Sequence, residues 1–278
     1  MAERAGRRAR MFDVDVVGRN NVTITGRHDG PTVVLAHGFG CDQNMWRLVL
    51  PVLAERFRVV LFDYVGSGRS DPSAWDRRRY SSLDGYAEDV LEICAALELT
   101  DVVFVGHSVS AMVAVIAAVR QPRRFAKLVM LVPSPCYIDD PATGYVGGFS
   151  AGDIDELLES LDSNYLGWSA TMAPVIMGNP ERPELGQELT DSFCATDPVM
   201  AAVFARTTFL SDSRAELASV AIPTLVLECA QDVIAPRQVG EYVHRNIPGS
   251  ELKYLEATGH CPNLSAPGEV IAAVRGFI

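Results

Sequence analysis

No stretch of the chain approaches the roughly 18 consecutive apolar residues of a membrane span, so no transmembrane segment is expected. The six cysteines (Cys41, Cys94, Cys136, Cys194, Cys229 and Cys261) form no C-x-x-C pair. No cluster of histidine, cysteine and carboxylate has metal-ligand spacing either, so no metal and no cofactor are expected. Cations are scarce: 24 Lys and Arg face 35 Asp and Glu, a net charge of −11. That balance argues against nucleic acid or an anionic membrane as partner. Arg4, Arg7, Arg8 and Arg10 lack an apolar stretch behind them, so the start of the chain reads as a frayed tail and not a secretory signal. A cytoplasmic protein with reduced thiols is expected. The glycosylation-type triplets Asn21-Val22-Thr23 and Asn263-Leu264-Ser265 would then stay unmodified.

What the chain does have is apolar material. Of its 278 residues 48% are hydrophobic and 8% aromatic, enough for one large α/β domain or two small ones. Strand signals at Val14–Val17 and Val22–Ile24 flank Gly18-Arg19-Asn20-Asn21, which reads as a hairpin turn. Four apolar runs of the buried-strand type follow, at Thr32–Ala36, Arg58–Phe62, Asp101–Val105 and Lys127–Val132. Helical patterns separate them. The clearest has Leu83, Tyr86, Ala87, Val90, Leu91, Cys94 and Leu97 on one face, with Ser81 and Asp84 as an expected capping box. Strands apolar on both faces and alternating with helices predict a mostly parallel sheet covered on both sides.

From Asp139 to Leu217 the alternation stops. Helical stripes take over: Ile154, Leu157, Leu158 and Leu161, then Trp168, Met172 and Ile176, then Leu185, Leu189 and Phe193. A fourth opens at Asp197-Pro198, an N-cap followed by proline at the first helical position. About 75 residues of helix bury little alone. Residues 139–217 are therefore read as a helical lid inserted after the sixth strand, and residues 1–138 and 218–278 as the core. The strand–helix rhythm resumes with Pro223–Glu228, Pro236–Ile247, Glu251–Leu255 and Pro267–Ile278.

The chemistry centres on Gly106-His107-Ser108-Val109-Ser110, between the strand Asp101–Val105 and an apolar helix from Ala111 to Val119. A sharp turn there lifts a serine hydroxyl clear of the sheet, the arrangement of a nucleophile elbow. The following helix aims N–H groups at any oxyanion formed beside Ser108. The full pattern is G-x-S-x-G, and here Ser110, the next smallest option, replaces the second glycine.

Serine at neutral pH needs a base, itself oriented by an acid. Five histidines are available. His28 falls in a polar loop, His244 on a helix face expected to be solvated, His107 beside the serine, and His37 where it would brace a glycine loop. His260, in a loop after the last strand, is left as the base. Asp232, a short loop beyond its strand, is the expected acid, with Glu228 as competitor and Asp139 or Asp140 as fallback. The order Ser108, Asp232, His260 is that of α/β-hydrolases, and not of the chymotrypsin or subtilisin folds. Oxyanion donors are expected from the N–H groups of Val109 and Phe39, the latter in the loop His37-Gly38-Phe39-Gly40. Gly66-Ser67-Gly68-Arg69-Ser70 lacks the ending of a phosphate loop and reads as structural, with Asp63 bonding its backbone.

Several motifs, taken together, closely resemble the RsbQ-type branch of the α/β-hydrolases, which includes the plant strigolactone and karrikin receptors. They are His37-Gly38-Phe39-Gly40-Cys41-Asp42-Gln43, Phe62-Asp63-Tyr64-Val65-Gly66-Ser67-Gly68, Gly106-His107-Ser108-Val109-Ser110-Ala111-Met112, Pro133-Ser134-Pro135-Cys136-Tyr137 and Gly259-His260-Cys261-Pro262. The resemblance spans nearly the whole chain, and serine at the elbow's last position also occurs in that branch. It implies a serine triad under a V-shaped lid of four helices, over a small apolar pocket. Phe39, Tyr137, Trp168 and Phe209 would line that pocket with Val109, plain lid core being the alternative for Trp168 and Phe209. It further implies stress signalling, with a small hydrophobic substrate or its product passed to a PAS-domain phosphatase.

Three functions fit such a triad: hydrolysis of a small apolar ester or lactone, ligand-sensing signalling with slow or incidental hydrolysis, and carbon–carbon bond hydrolysis or acyl transfer. Dehalogenase and epoxide hydrolase chemistry is disfavoured, because those enzymes need aspartate where Ser108 stands.

Overall fold

The computed structural model describes residues 15–278. The amino-terminal arginines, and Val14 of the first expected strand, lie outside the described residues. In chain order the main elements are α1 (Val16–Arg19), β1 (Thr23–Gly26), β2 (Thr32–Ala36), α2 (Leu50–Ala54), β3 (Arg58–Leu61), α3 (Leu83–Ala96), β4 (Val102–His107), α4 (Val109–Arg120) and β5 (Phe125–Leu131). Then come α5 (Ala151–Ser163), α6 (Tyr165–Met177), α7 (Pro183–Cys194), α8 (Pro198–Phe209), β6 (Thr224–Gln231), α9 (Arg237–Asn246), β7 (Glu251–Thr258), α10 (Pro262–Ser265) and α11 (Pro267–Phe277). The seven strands form one sheet in the order β1-β3-β2-β4-β5-β6-β7, with β1 antiparallel to β3 and every other pair parallel. This is the α/β-hydrolase fold.

The inner strands β3, β2, β4, β5 and β6 are buried on both faces over most of their length, as their continuous apolar runs required, while the edge strands β1 and β7 are partly exposed. On β2, Val33 and Leu35 join the core that includes α2, α11 and the helices α5–α8, while Val34 and Ala36 join the core under α3 and α4. The two-residue period of a strand divides them.

The first expected strand and its hairpin turn are corrected. Residues 16–19 make a helical turn capped by Asp15, whose side chain accepts from Gly18 N–H. Arg19 and Asn20 are buried beside Asp89, hydrogen-bonded to it at 3.1 and 3.3 Å. That buried polar network outweighs the strand propensity of Val16 and Val17. The helical insert consequently follows the fifth described strand, not the sixth. The expected capping box of α3 is also absent: its N-cap is Ser82, whose hydroxyl bonds the Asp84 carboxylate at 3.2 Å. A true capping box stands instead at Ser150 and Asp153, opening α5. Of the expected insert, residues 139–149 form turns and isolated bridges, and helix begins only at Ala151.

Candidate active site

Strand register carries the site residues to one edge. Ala36 of β2 pairs with Gly106 of β4, so the glycine loop and the Ser108 turn leave adjacent strands at one level. Here the strand order reverses, β2 leading to β3 on one side while β4 lies on the other. Such a switch point opens a crevice at the carboxyl ends of the strands. On the far side Gln231 pairs with Thr258, which brings Asp232 and His260 level with each other.

Ser108 has φ 55° and ψ −122°, a conformation costing a non-glycine residue on the order of 1–3 kcal/mol. The strain is that of the expected elbow, and it is held by Ser108 N–H donating to Leu131 O at 2.8 Å. Ser108 Oγ lies 2.7 Å from His260 Nε2, and His260 Nδ1 lies 2.6 Å from Asp232 Oδ2. A carboxylate oxygen only accepts, so Nδ1 carries the proton and Nε2 is free to accept from the serine. Asp232 Oδ1 accepts from Ile234 and Ala235 N–H at 2.8 and 3.2 Å, which fixes the carboxylate in its turn. The structure thus brings together the three residues selected from sequence.

The other candidates are placed elsewhere. Asp139 accepts from Gly147 and Gly148 N–H, and Asp140 pairs with Arg214. His107 Nε2 donates to His260 O at 2.7 Å, and burial pushes its pKa down to about 3, keeping the ring neutral. His37 does brace its loop: Nδ1 donates to Gly38 O at 2.9 Å and Nε2 accepts from Tyr64 N–H at 3.1 Å. Burial lowers its pKa too. His28 is exposed, whereas His244, expected in solvent, is half-buried against Ser250 Oγ at 2.9 Å. Asp63 accepts from Arg69 N–H at 2.9 Å, inside the structural glycine loop.

Among the described residues neither Phe39 N–H nor Val109 N–H donates to a backbone acceptor. Val109 opens α4, so its free N–H sits at the positive end of that helix. Gly38 permits the close approach of the two loops: a Cβ there would lie 2.5 Å from His107 Nδ1 and 3.4 Å from Ser108 Cβ. Ser110 explains its own presence. Its hydroxyl donates to His37 O and pairs with Tyr64 OH at 2.8 Å, tying the start of α4 to the Phe39 loop.

A cavity of about 30 Å³ adjoins Ser108 and His260, walled by Phe39, Tyr137, Phe193, Phe209 and other largely apolar side chains. Trp168 is corrected: it lies behind this wall, stacked on Phe193 at 5.8 Å and edge-on to Phe39 at 6.3 Å. Phe193 fills the place expected of it. Sequence reasoning missed Phe193, Leu189, Ile176 and Ile234 as lining. Leu189 and Phe193 share one inward stripe of α7, a signal that says which face is buried but not how deep. Cys41 and Cys261 also line the cavity, and both sit inside the motifs of the resemblance. Burial pushes the Cys41 thiol up to about 12 and holds the Cys261 thiol well above the usual thiol range.

Residues 33–274 match the model of the Alpha/beta hydrolase family. A probable esterase of Oryza sativa subsp. japonica is 38% identical over 93% of this chain and 95% of its own length. A karrikin insensitive 2 receptor of Petunia hybrida is 40% identical over 89% and 90%. A solved hydrolase of Oleispira antarctica superposes with a TM-score of 0.92 at 47% identity, covering 95% of this chain and 96% of that one.

Proposed function

The chain belongs to the alpha/beta hydrolase family and is a serine hydrolase, and on that premise we propose that it cleaves a small, largely apolar ester or lactone through an acyl-enzyme. The carrying observation is the unbroken chain Ser108–His260–Asp232, linked at 2.7 and 2.6 Å. Ser108 Oγ attacks the carbonyl carbon while its proton passes to His260 Nε2. The displaced π pair becomes an oxyanion held by the N–H groups of Val109 and Phe39. Collapse expels the alcohol oxygen, which takes the proton from Nε2. Water, deprotonated by the same nitrogen, then attacks the acyl carbon and releases the acid and Ser108. Asp232 keeps the ring in the right tautomer and stabilises the imidazolium. The apolar wall around Phe39, Tyr137 and Phe209 supports a hydrophobic substrate.

Ser108→Ala should lower kcat for p-nitrophenyl acetate by at least about 10⁴-fold, the scale of nucleophile loss in such triads. Hydrolysis at the wild-type rate would end the proposal. Labelling by a fluorophosphonate, lost in the same variant, is the companion test of an activated serine.

One observation favours a second reading. A cavity of about 30 Å³ is far below the ~300–1,000 Å³ of ligand sites, which supports a lid reading in which α6, α7 and α8, the insert helices that wall it, open before substrate enters. A site gated this way suits a ligand sensor with slow hydrolysis, as the RsbQ resemblance implies, with a PAS-domain phosphatase as partner. A burst followed by slow turnover, with a ligand-dependent shift in Tm, would favour it. Thousands of rapid turnovers, or a gene neighbourhood without such a phosphatase, would count against it.

A further inference from the structure

The cavity holds a hydroxyl for which acyl-enzyme chemistry has no use. Thr208, near the end of α8, lines the cavity and is 1% exposed, and its Oγ1 has no hydrogen-bond partner among the described residues. An unpaired buried hydroxyl costs about 1–3 kcal/mol, and native structures keep few of them. A helical threonine has a local remedy, donation to the carbonyl one turn back. Thr171 and Thr190 do so, to Gly167 O and Gly186 O at 3.0 and 2.9 Å. Thr207, the neighbour, reaches Tyr80 O at 2.9 Å. Thr208 takes neither course. His107 Nδ1, also on the cavity and also unpartnered, is covered by the close approach of Gly38.

We infer that Thr208 determines specificity, its Oγ1 hydrogen-bonding a second oxygen of the substrate, distinct from the scissile carbonyl. This rests on the ester or lactone reading and narrows it. The substrate class becomes an apolar ester or lactone with one further ether, carbonyl or hydroxyl oxygen within reach of α8. A site built to bond such an oxygen rejects an analogue without it, because the buried group is again left unpaired.

Two isosteric pairs test this: p-nitrophenyl butyrate against p-nitrophenyl methoxyacetate, and butyl acetate against 2-methoxyethyl acetate. They place an ether oxygen on the acyl side and on the alcohol side. The readout is the kcat/KM ratio within each pair, compared between wild type, Thr208→Val and Thr208→Ser, which cancels intrinsic reactivity. Thr208→Val should lower the oxygenated-to-hydrocarbon ratio about five- to tenfold in at least one pair, the span of one neutral hydrogen bond. Thr208→Ser should keep the wild-type ratio. Ratios within twofold of wild type for Thr208→Val in both pairs would overturn the inference and leave hydrolysis standing. A wild type that hydrolyses no member of either pair would overturn both.

Discussion

Two carboxylates, Glu228 within β6 and Asp232 just beyond it, stand four residues apart, and the fold treats them in opposite ways. Asp232, its side chain 1% exposed, receives three donors: two backbone N–H groups of its own turn and His260 Nδ1–H. Glu228 is 0% exposed, and neither of its oxygens has a partner among the described residues. It lies pressed beneath α9, where a Cβ on Gly240 would stand 1.9 Å from Oε1, so only glycine leaves it room. Burial holds its carboxyl well above the usual carboxylate range, with the Asp232 charge adding to the effect. The turn after the strand can supply donors because its backbone is not spent on the sheet ladder. The strand interior cannot, and there burial favours the neutral form of the same functional group.

Asp232→Asn attacks the satisfied side of this contrast. The asparagine oxygen can still accept from Ile234 and Ala235, so the turn should persist. Its NH₂ would face His260 Nδ1 and place the ring proton on Nε2, where it can no longer accept from Ser108. A fall in kcat of about 10⁴-fold is expected, with Tm within a few degrees of wild type. A loss below tenfold in steady-state kinetics would mean that the carboxylate does not set the tautomer.

Glu228→Gln attacks the other side, and its effect is on stability. The folded pKa of Glu228 is raised, so its protonated form is fully compatible with the fold below the unfolded pKa near 4.5. Above that, the unfolded chain gives up a proton that the folded chain keeps. Stability is therefore lost as pH rises toward the folded pKa, by about 1.4 kcal/mol per pH unit in that window. Denaturant unfolding at pH 5 and pH 8 should show wild type losing more stability than Glu228→Gln, with kcat equal within twofold. Equal losses would show that Glu228 does not titrate as a buried neutral acid.

These carboxylates also show what the sequence could disclose. Asp232 was separable from Glu228 because strand ends and strand interiors differ in local pattern, and the order of Ser108, Asp232 and His260 is a linear property. The elbow was legible for the same reason, as a strand, a turn and a helix within a dozen residues. Trp168 and Phe193 were not separable: both lie on inward stripes, and which ring reaches the cavity is decided by the packing of α6 on α7. The helical turn at Val16 was hidden because it depends on Asp89, some 70 residues away. Thr208 reads from sequence as one more helical threonine, and only the absence of a partner in space distinguishes it.

Ser110 sharpens the contrast from a third position, since its hydroxyl is as buried as Glu228 and fully employed. It donates to His37 O while pairing with Tyr64 OH, and so links the helix that offers Val109 N–H to the loop that offers Phe39 N–H. Ser110→Ala should let these two donors drift apart. Misplaced donors weaken the transition state more than substrate binding, so kcat should fall about three- to tenfold with KM changed less than twofold. Tyr64→Phe removes the other bond but keeps the tie to His37, and should leave kcat within twofold. If both variants lowered kcat alike, or if KM rose in place of kcat, the serine would be filling space left by glycine and not aligning the oxyanion site.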